Sequence, residues 1–179
     1  MAKPGALDAL FLLGADEIDI APAAFVVYTG THGDRGAHRA DVILPAAAYT
    51  EKSGLYVNTE GRVQMTSRAV FPPGEAREDW AIFRALSDVL GPKLPYDSLA
   101  DLRRALFKAH PHLQRLDTII PGDPVEITRL AMTGGAPDRA SFRSPISDFY
   151  MTNPIARASV VMAECSMLAR DRATLTAAE

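Results

Sequence analysis

Two apolar runs too short to be helices constrain this chain more than any other feature. Phe25-Val26-Val27-Tyr28 lies between Pro22 and Gly30, and Val42-Ile43-Leu44 lies between Asp41 and Pro45. β-branched runs of this length, closed by glycine or proline, are expected to be strands buried on both faces of a parallel sheet. Proline at 45 ends the second run because it has no ladder donor. Upstream, Ala6 to Gly14 reads as a first strand, with a sharp turn at Gly14-Ala15-Asp16 on the sheet's carboxyl edge. A single glycine there serves a plain core strand as readily as a ligand site.

Between the two runs lies Gly30-Thr31-His32-Gly33-Asp34-Arg35-Gly36. Three glycines at a spacing of three can present backbone N–H groups to a phosphate at a helix start, or simply turn the chain into the next strand. The spacing is not that of a dinucleotide-binding fingerprint. His32 and His38 are six apart with no third ligand beside them, which fits no known zinc spacing.

After Pro45, Glu51-Lys52-Ser53-Gly54 turns the chain into Leu55-Tyr56-Val57-Asn58, and Thr59-Glu60-Gly61 turns it back into Arg62-Val63-Gln64-Met65, a hairpin. Gly61 supplies the positive φ such a turn needs. Asn58, Glu60 and Arg62 could grip a polar ligand. The plainer reading has Asn58 bonding the local backbone and the other two in structural ion pairs.

Phe71-Pro72-Pro73-Gly74 breaks the chain before a predicted helix, Glu78 to Leu90, that aligns Trp80, Phe83, Leu86 and Leu90 and stops at Gly91-Pro92. A second helix, Leu99 to His110, takes Ser98 as N-cap with Asp101 three residues on, and is expected to bury Leu99, Leu102, Leu106 and Phe107. From 121 to 145 the chain is rich in Gly, Pro, Asp and Ser and reads as an extended connector. Asn153-Pro154 then launches a helix to about Ala169, with Ile155, Ala158, Met162, Cys165 and Leu168 on one apolar face and Arg170 and Arg172 near its C-terminus. Cys165 on that face is expected to be an inert packed thiol.

Composition excludes several classes. A formal net charge of −3 provides no basic footprint for nucleic acid. No apolar run approaches the roughly 20 residues that cross a bilayer, so no direct membrane insertion is expected. One cysteine in 179 residues leaves no intrachain disulfide and no four-cysteine metal or iron–sulfur site within these residues.

The stretch Ala40 to Gln64, ADVILPAAAYTEKSGLYVNTEGRVQ, closely resembles the signature of the molybdopterin oxidoreductase superfamily. Ser144 to Ser166, SPISDFYMTNPIARASVVMAECS, resembles the end of one branch, the large iron–sulfur subunit of proton-pumping NADH:quinone oxidoreductase, respiratory complex I. Together they point to the C-terminal part of that subunit.

The resemblance implies an α/β fold: a partial Rossmann-like parallel sheet of the molybdopterin oxidoreductase type, with a β-hairpin and C-terminal helices. It divides the chain into a partial α/β domain (1–120), the connector (121–145) and a C-terminal helical element (146–179). It also implies a sheet edge left open and an isolated chain of marginal stability.

In function, the complete subunit is expected to pass electrons from NADH, via flavin and iron–sulfur clusters of the [2Fe-2S] and [4Fe-4S] types, to quinone. This segment is expected to be scaffold, with no catalytic residue, no metal and no cofactor of its own. A vestigial pterin cleft would draw on Gly30, Gly33, Gly36, Asn58, Glu60 and Arg62. Expected partners are other peripheral-arm subunits, on the cytoplasmic face of a bacterial inner membrane or the matrix side of the mitochondrial inner membrane. The alternative is a fragment of a molybdopterin-dependent oxidoreductase such as a formate dehydrogenase, against which the pattern from Ser147 to Ser159 argues.

Overall fold

The structure, a computed structural model, describes residues 7–15, 24–33, 35–136 and 139–176. The predicted turn at Asp16, and Ala6, Pro22 and Asp34, fall outside these residues, and Arg172 lies beyond the last described side chain.

Three parallel strands, β1 (Ala9–Leu13), β2 (Phe25–Gly30) and β3 (Val42–Pro45), form a sheet in the order β1-β2-β3. Leu12 stands beside Tyr28 and Leu10 beside Val26, so these side chains share one face and form a core with Ala37 and Ala40. Ala37 comes from a short helix, α1 (Arg35–Arg39), that links β2 to β3. On the opposite face Phe11 meets Phe83 of α2 (Asp79–Leu90), ring centroids 5.9 Å apart. Both faces of the central strand are thus covered, and Val26 is 0 % exposed.

The expectation that β3 is buried on both faces is corrected: it is an outer strand, with Ile43 55 % exposed. Among the described residues β2 is its only strand partner, and Val42, on the opposite face from Ile43, is also exposed at 38 %. Its far end is braced by the chain at Arg77, whose carbonyl accepts from Ala47 N at 2.8 Å and whose amide donates to the Pro45 carbonyl at 3.2 Å. The ladder with β2 closes where Ala46 N donates to the Gly30 carbonyl at 3.0 Å; Pro45 sits on the outward-facing side of the strand, where its missing N–H breaks no bond to β2.

The predicted hairpin forms, as β4 (Leu55–Val57) antiparallel to β5 (Val63–Met65), with Gly61 at φ +80°. α2 and α3 (Leu99–Ala109) match the predicted helices within a residue at each end. Their apolar stripes are only half-buried, and Leu90 is exposed. A 3-10 turn (Pro111–Gln114) follows, and Leu116 then pairs with Val63, adding a bridge to the hairpin.

Two predicted elements differ. The connector contains a helix, α4 (Pro124–Ala131), with Asp123 Oδ1 accepting from Val125 N at 2.9 Å, proline at the first position, and a Glu126–Arg129 ion pair. These local signals outweigh the Gly and Pro on either side. The single helix predicted after Asn153 is two, α5 (Pro154–Arg157) and α6 (Val160–Thr176). Ser159 interrupts it, its hydroxyl accepting from Met162 N as a new cap. Ile155 and Ala158 therefore do not continue the α6 face that carries Cys165, which is partly buried, and Leu168 is exposed. Among the described residues no helix is long and apolar enough to cross a membrane.

Candidate functional site

The carboxyl ends of β1 and β2 open into a cavity of about 630 Å³. Gly14, Tyr28, Thr31, His32 and Tyr49 line it from the sheet side, and Asn153, Ile155 and Met162 from the C-terminal helices. This is where open α/β sheets hold ligands. Here the crevice is roofed by the chain's own last elements. A neighbouring cavity of about 570 Å³ has Arg35 on one side and Asp148, Thr152 and Arg157 on the other.

Within the roof, Asp148, which precedes a 3-10 turn (Phe149–Met151), ties that turn to α6. Its carboxylate accepts from Ser166 Oγ at 2.5 Å, Arg170 Nη2 at 2.9 Å and Tyr150 N at 3.1 Å. The Ser166 hydroxyl first, then Arg170 and the Tyr150 amide, hold this carboxyl below the usual aspartate range against partial desolvation. Asn153 caps α5 through Ala156 N at 2.9 Å, as its sequence predicts.

The glycine loop has an occupant. The Tyr28 phenol donates to the carbonyl of His32, and the ring lies against the loop. A Cβ at Gly30 would stand 2.5 Å from Tyr28 Oη, and one at Gly33 would stand 2.8 Å from Ala37 Cβ and 2.9 Å from that same oxygen. The glycines thus have a packing reason: only a residue without a side chain lets this loop close on the ring. Gly36 is buried in the first turn of α1. Neither these three glycines nor Asn58, Glu60 and Arg62 line the larger cavity.

On the hairpin, Asn58 Oδ1 accepts from the amides of Glu60 and Arg62, both at 3.0 Å. Arg62 stands 3.9 Å from the Glu60 carboxylate and donates to the Asp117 carbonyl at 3.2 Å. Asp117 has φ +56°, and its amide bonds the Val63 carbonyl at 2.8 Å. Arg62 therefore pins the segment after α3 to the hairpin.

The rest of the Ala40–Gln64 stretch is similarly engaged. Asp41 Oδ2 accepts from Val26 N at 2.7 Å, Glu51 Oε2 from Ala48 N at 2.9 Å, and Lys52 pairs with Asp79 at the start of α2. His32 Nδ1 lies 3.2 Å from Thr31 Oγ1, and His38 is exposed on α1. Among the described residues no three His, Cys, Asp or Glu side chains converge on a point. Sequence reasoning missed Tyr28 and Tyr49 as cavity walls. The signal for Tyr28 was a large ring two residues before the first loop glycine.

Residues 1–89 match the molybdopterin oxidoreductase family. Residues 122–165, which include Asp148 and the cavity-lining Asn153, Ile155 and Met162, match the C-terminal region of NADH-ubiquinone oxidoreductase G subunits. The chain is 52 % identical to the mitochondrial NADH-ubiquinone oxidoreductase 78 kDa subunit of Candida albicans, over 87 % of this chain and 23 % of that protein. It is 48 % identical to the corresponding 78 kDa subunit of Neurospora crassa, over 88 % of this chain and 22 % of the relative. With the NADH-ubiquinone oxidoreductase 75 kDa subunit of Reclinomonas americana it shares 48 % identity over 89 % of this chain and 23 % of the relative. The chain spans less than a quarter of the length of these relatives.

Proposed function

We propose that these 179 residues are the C-terminal scaffold segment of the large iron–sulfur subunit of NADH:quinone oxidoreductase. The complete subunit relays electrons from NADH, via flavin and [2Fe-2S] and [4Fe-4S] clusters, to quinone. The observation that carries this reading is the match of residues 122–165 to the C-terminal region of NADH-ubiquinone oxidoreductase G subunits, on the same chain as the molybdopterin oxidoreductase match. The segment's work is packing and partner contact. A single cysteine cannot ligate a cluster of the four-thiolate kind, so the clusters belong to the remainder of the subunit.

In the same reading residues 1–120 form a partial Rossmann-like domain, 121–145 a connector that carries α4, and 146–179 the roof. Gly30, Gly33, Gly36, Asn58, Glu60 and Arg62 act as scaffold, supported by the closure of the loop on Tyr28 and by the Asn58 and Arg62 bonds. The partners are peripheral-arm subunits, on the cytoplasmic face of a bacterial inner membrane or the matrix side of the mitochondrial one.

Affinity purification from the native cells through a C-terminal tag, in mild detergent with mass spectrometry of what co-purifies, tests this. Recovery of a flavin-binding NADH-oxidising subunit and quinone-site subunits is the expected result. Recovery of a molybdenum enzyme's catalytic subunit, or of the chain alone, would overturn it and favour a fragment of an enzyme such as a formate dehydrogenase or a stand-alone module.

A further inference from the structure

Helices α2 and α3 carry their charges differently. Around α2 the cations have carboxylates: Lys52 pairs with Asp79, Arg68 with Glu78 at 3.4 Å, and Arg84 with Asp88 and Asp97, both at 2.7 Å. α3 and the 3-10 turn behind it carry Arg103, Arg104, Lys108 and Arg115, with His110 and His112 among them and no acidic residue from 102 to 116. Arg104 pairs with Asp101. Among the described residues no carboxylate stands within ion-pair distance of Arg103, Lys108 or Arg115.

Arg103 is the sharpest case. It stands at helical spacing with Leu99, Leu106 and Phe107, all of them half-buried. Its Nη2 is shut off from solvent and makes no hydrogen bond among the described residues. A desolvated cationic N–H without an acceptor is costly, and a carboxylate brought against it offsets that cost. Lys108 and Arg115 are exposed at the same end of the helix, where the rings of His110 and His112 lie edge to face with centroids 6.0 Å apart. A chain of formal net charge −3 thus gathers an uncompensated positive patch on one element.

We infer that α3 and the turn behind it are a docking surface for an acidic segment of a neighbouring protein subunit, whose carboxylates pair with Arg103, Lys108 and Arg115 while apolar side chains beside them cover Leu106 and Phe107. Associating surfaces set positive patches against negative ones, and a half-buried apolar stripe beside the charges is the composition of a protein interface. Arg103 is recessed, within reach of a side-chain carboxylate and not of a flat layer of lipid headgroups. The net negative charge of the chain opposes nucleic acid. Residues 90–121 fall between the two family matches, which favours a neighbour particular to this assembly over the remainder of the same subunit. The inference rests on the reading of the chain as part of a multi-subunit assembly.

Carbodiimide coupling on the tagged assembly purified from native cells, read by peptide mass spectrometry, tests it, because the reagent joins an amine to a carboxylate in direct contact. The Lys52–Asp79 ion pair is the internal standard. Lys108 is expected to be joined to an Asp or Glu of another subunit. Arg103→Glu combined with Arg115→Glu is expected to carry about tenfold less of that subunit through the purification, the others being recovered as before, whereas Arg103→Lys with Arg115→Lys stays within about twofold of the parent.

A Lys108 link to a carboxylate of its own subunit would overturn the inference. So would the absence of a Lys108 link where the Lys52–Asp79 link forms, the result if lipid headgroups or nucleic acid cover the patch. Undiminished recovery of the linked subunit with the double Glu variant would overturn it as well. The subunit composition of the same preparation reports separately whether the assembly is the NADH:quinone oxidoreductase: a Lys108 link to an acidic neighbour in a different assembly would leave this inference standing and remove that reading.

Discussion

Tyr28 and His32 are joined across the glycine loop, the phenol of one donating to the backbone carbonyl of the other, and the ring between them stands where a side chain on Gly30 or Gly33 would have to go. The loop and the strand that precedes it are therefore one packed unit. Gly33→Ala places a methyl 2.8 Å from Ala37 Cβ and is expected to cost about 1–3 kcal/mol by overpacking. Tyr28→Phe, which keeps the ring, is expected to cost about 1 kcal/mol for the lost bond. Urea midpoints check both. A Gly33→Ala protein as stable as the parent would mean that the loop is not closed on the ring.

Asn58 is the hub of its hairpin turn, accepting from two amides with one oxygen. Asn58→Ala is expected to lower stability by about 1–2 kcal/mol. Asn58→Asp keeps the acceptor and is expected to stay near the parent. Equal loss in the two variants would show that the amide nitrogen, and not the acceptor, is what matters there.

Ser98 closes the N-terminus of α3, its hydroxyl accepting from Asp101 N at 3.1 Å and donating to Asp101 Oδ2 at 2.7 Å. Ser98→Ala is expected to cost about 1 kcal/mol, and Ser98→Thr less. Thermal unfolding of the three proteins side by side decides it, and no difference between Ala and Ser would remove the cap from the account of α3.

The roof over the crevice carries a pH signature. Asp148 is held below its ordinary value, about 3.9, so its contribution to stability is present above that value and disappears as pH falls through the lowered one. Asp148→Asn lacks this dependence. Melting temperatures of parent and variant are expected to differ near neutrality and to converge as both are acidified to roughly pH 2. A constant gap across that range would show that the carboxylate's charge is not what fastens α6.

What the sequence determined by itself is local. The strand runs, the proline stop at 45, the positive φ at Gly61 and the caps at Ser98 and Asn153 depend on neighbours a few residues away, and all were legible. The Asp123-Pro124 start of α4 was equally local, but the Gly and Pro around it masked the signal. The break at Ser159 was also written locally, in a residue whose hydroxyl competes for backbone amides.

The rest required tertiary structure, because it depends on groups brought together from far along the chain. Only the register of three strands shows that β3 is an outer strand while Val26 and Tyr28 are enclosed. Only the fold brings Ser166 to Asp148, 18 residues away, and Arg62 to Asp117, 55 residues away. Only the fold shows the Tyr28 ring packed against Gly30 and Gly33, since the spacing of the glycines suits a phosphate and a tyrosine ring equally well.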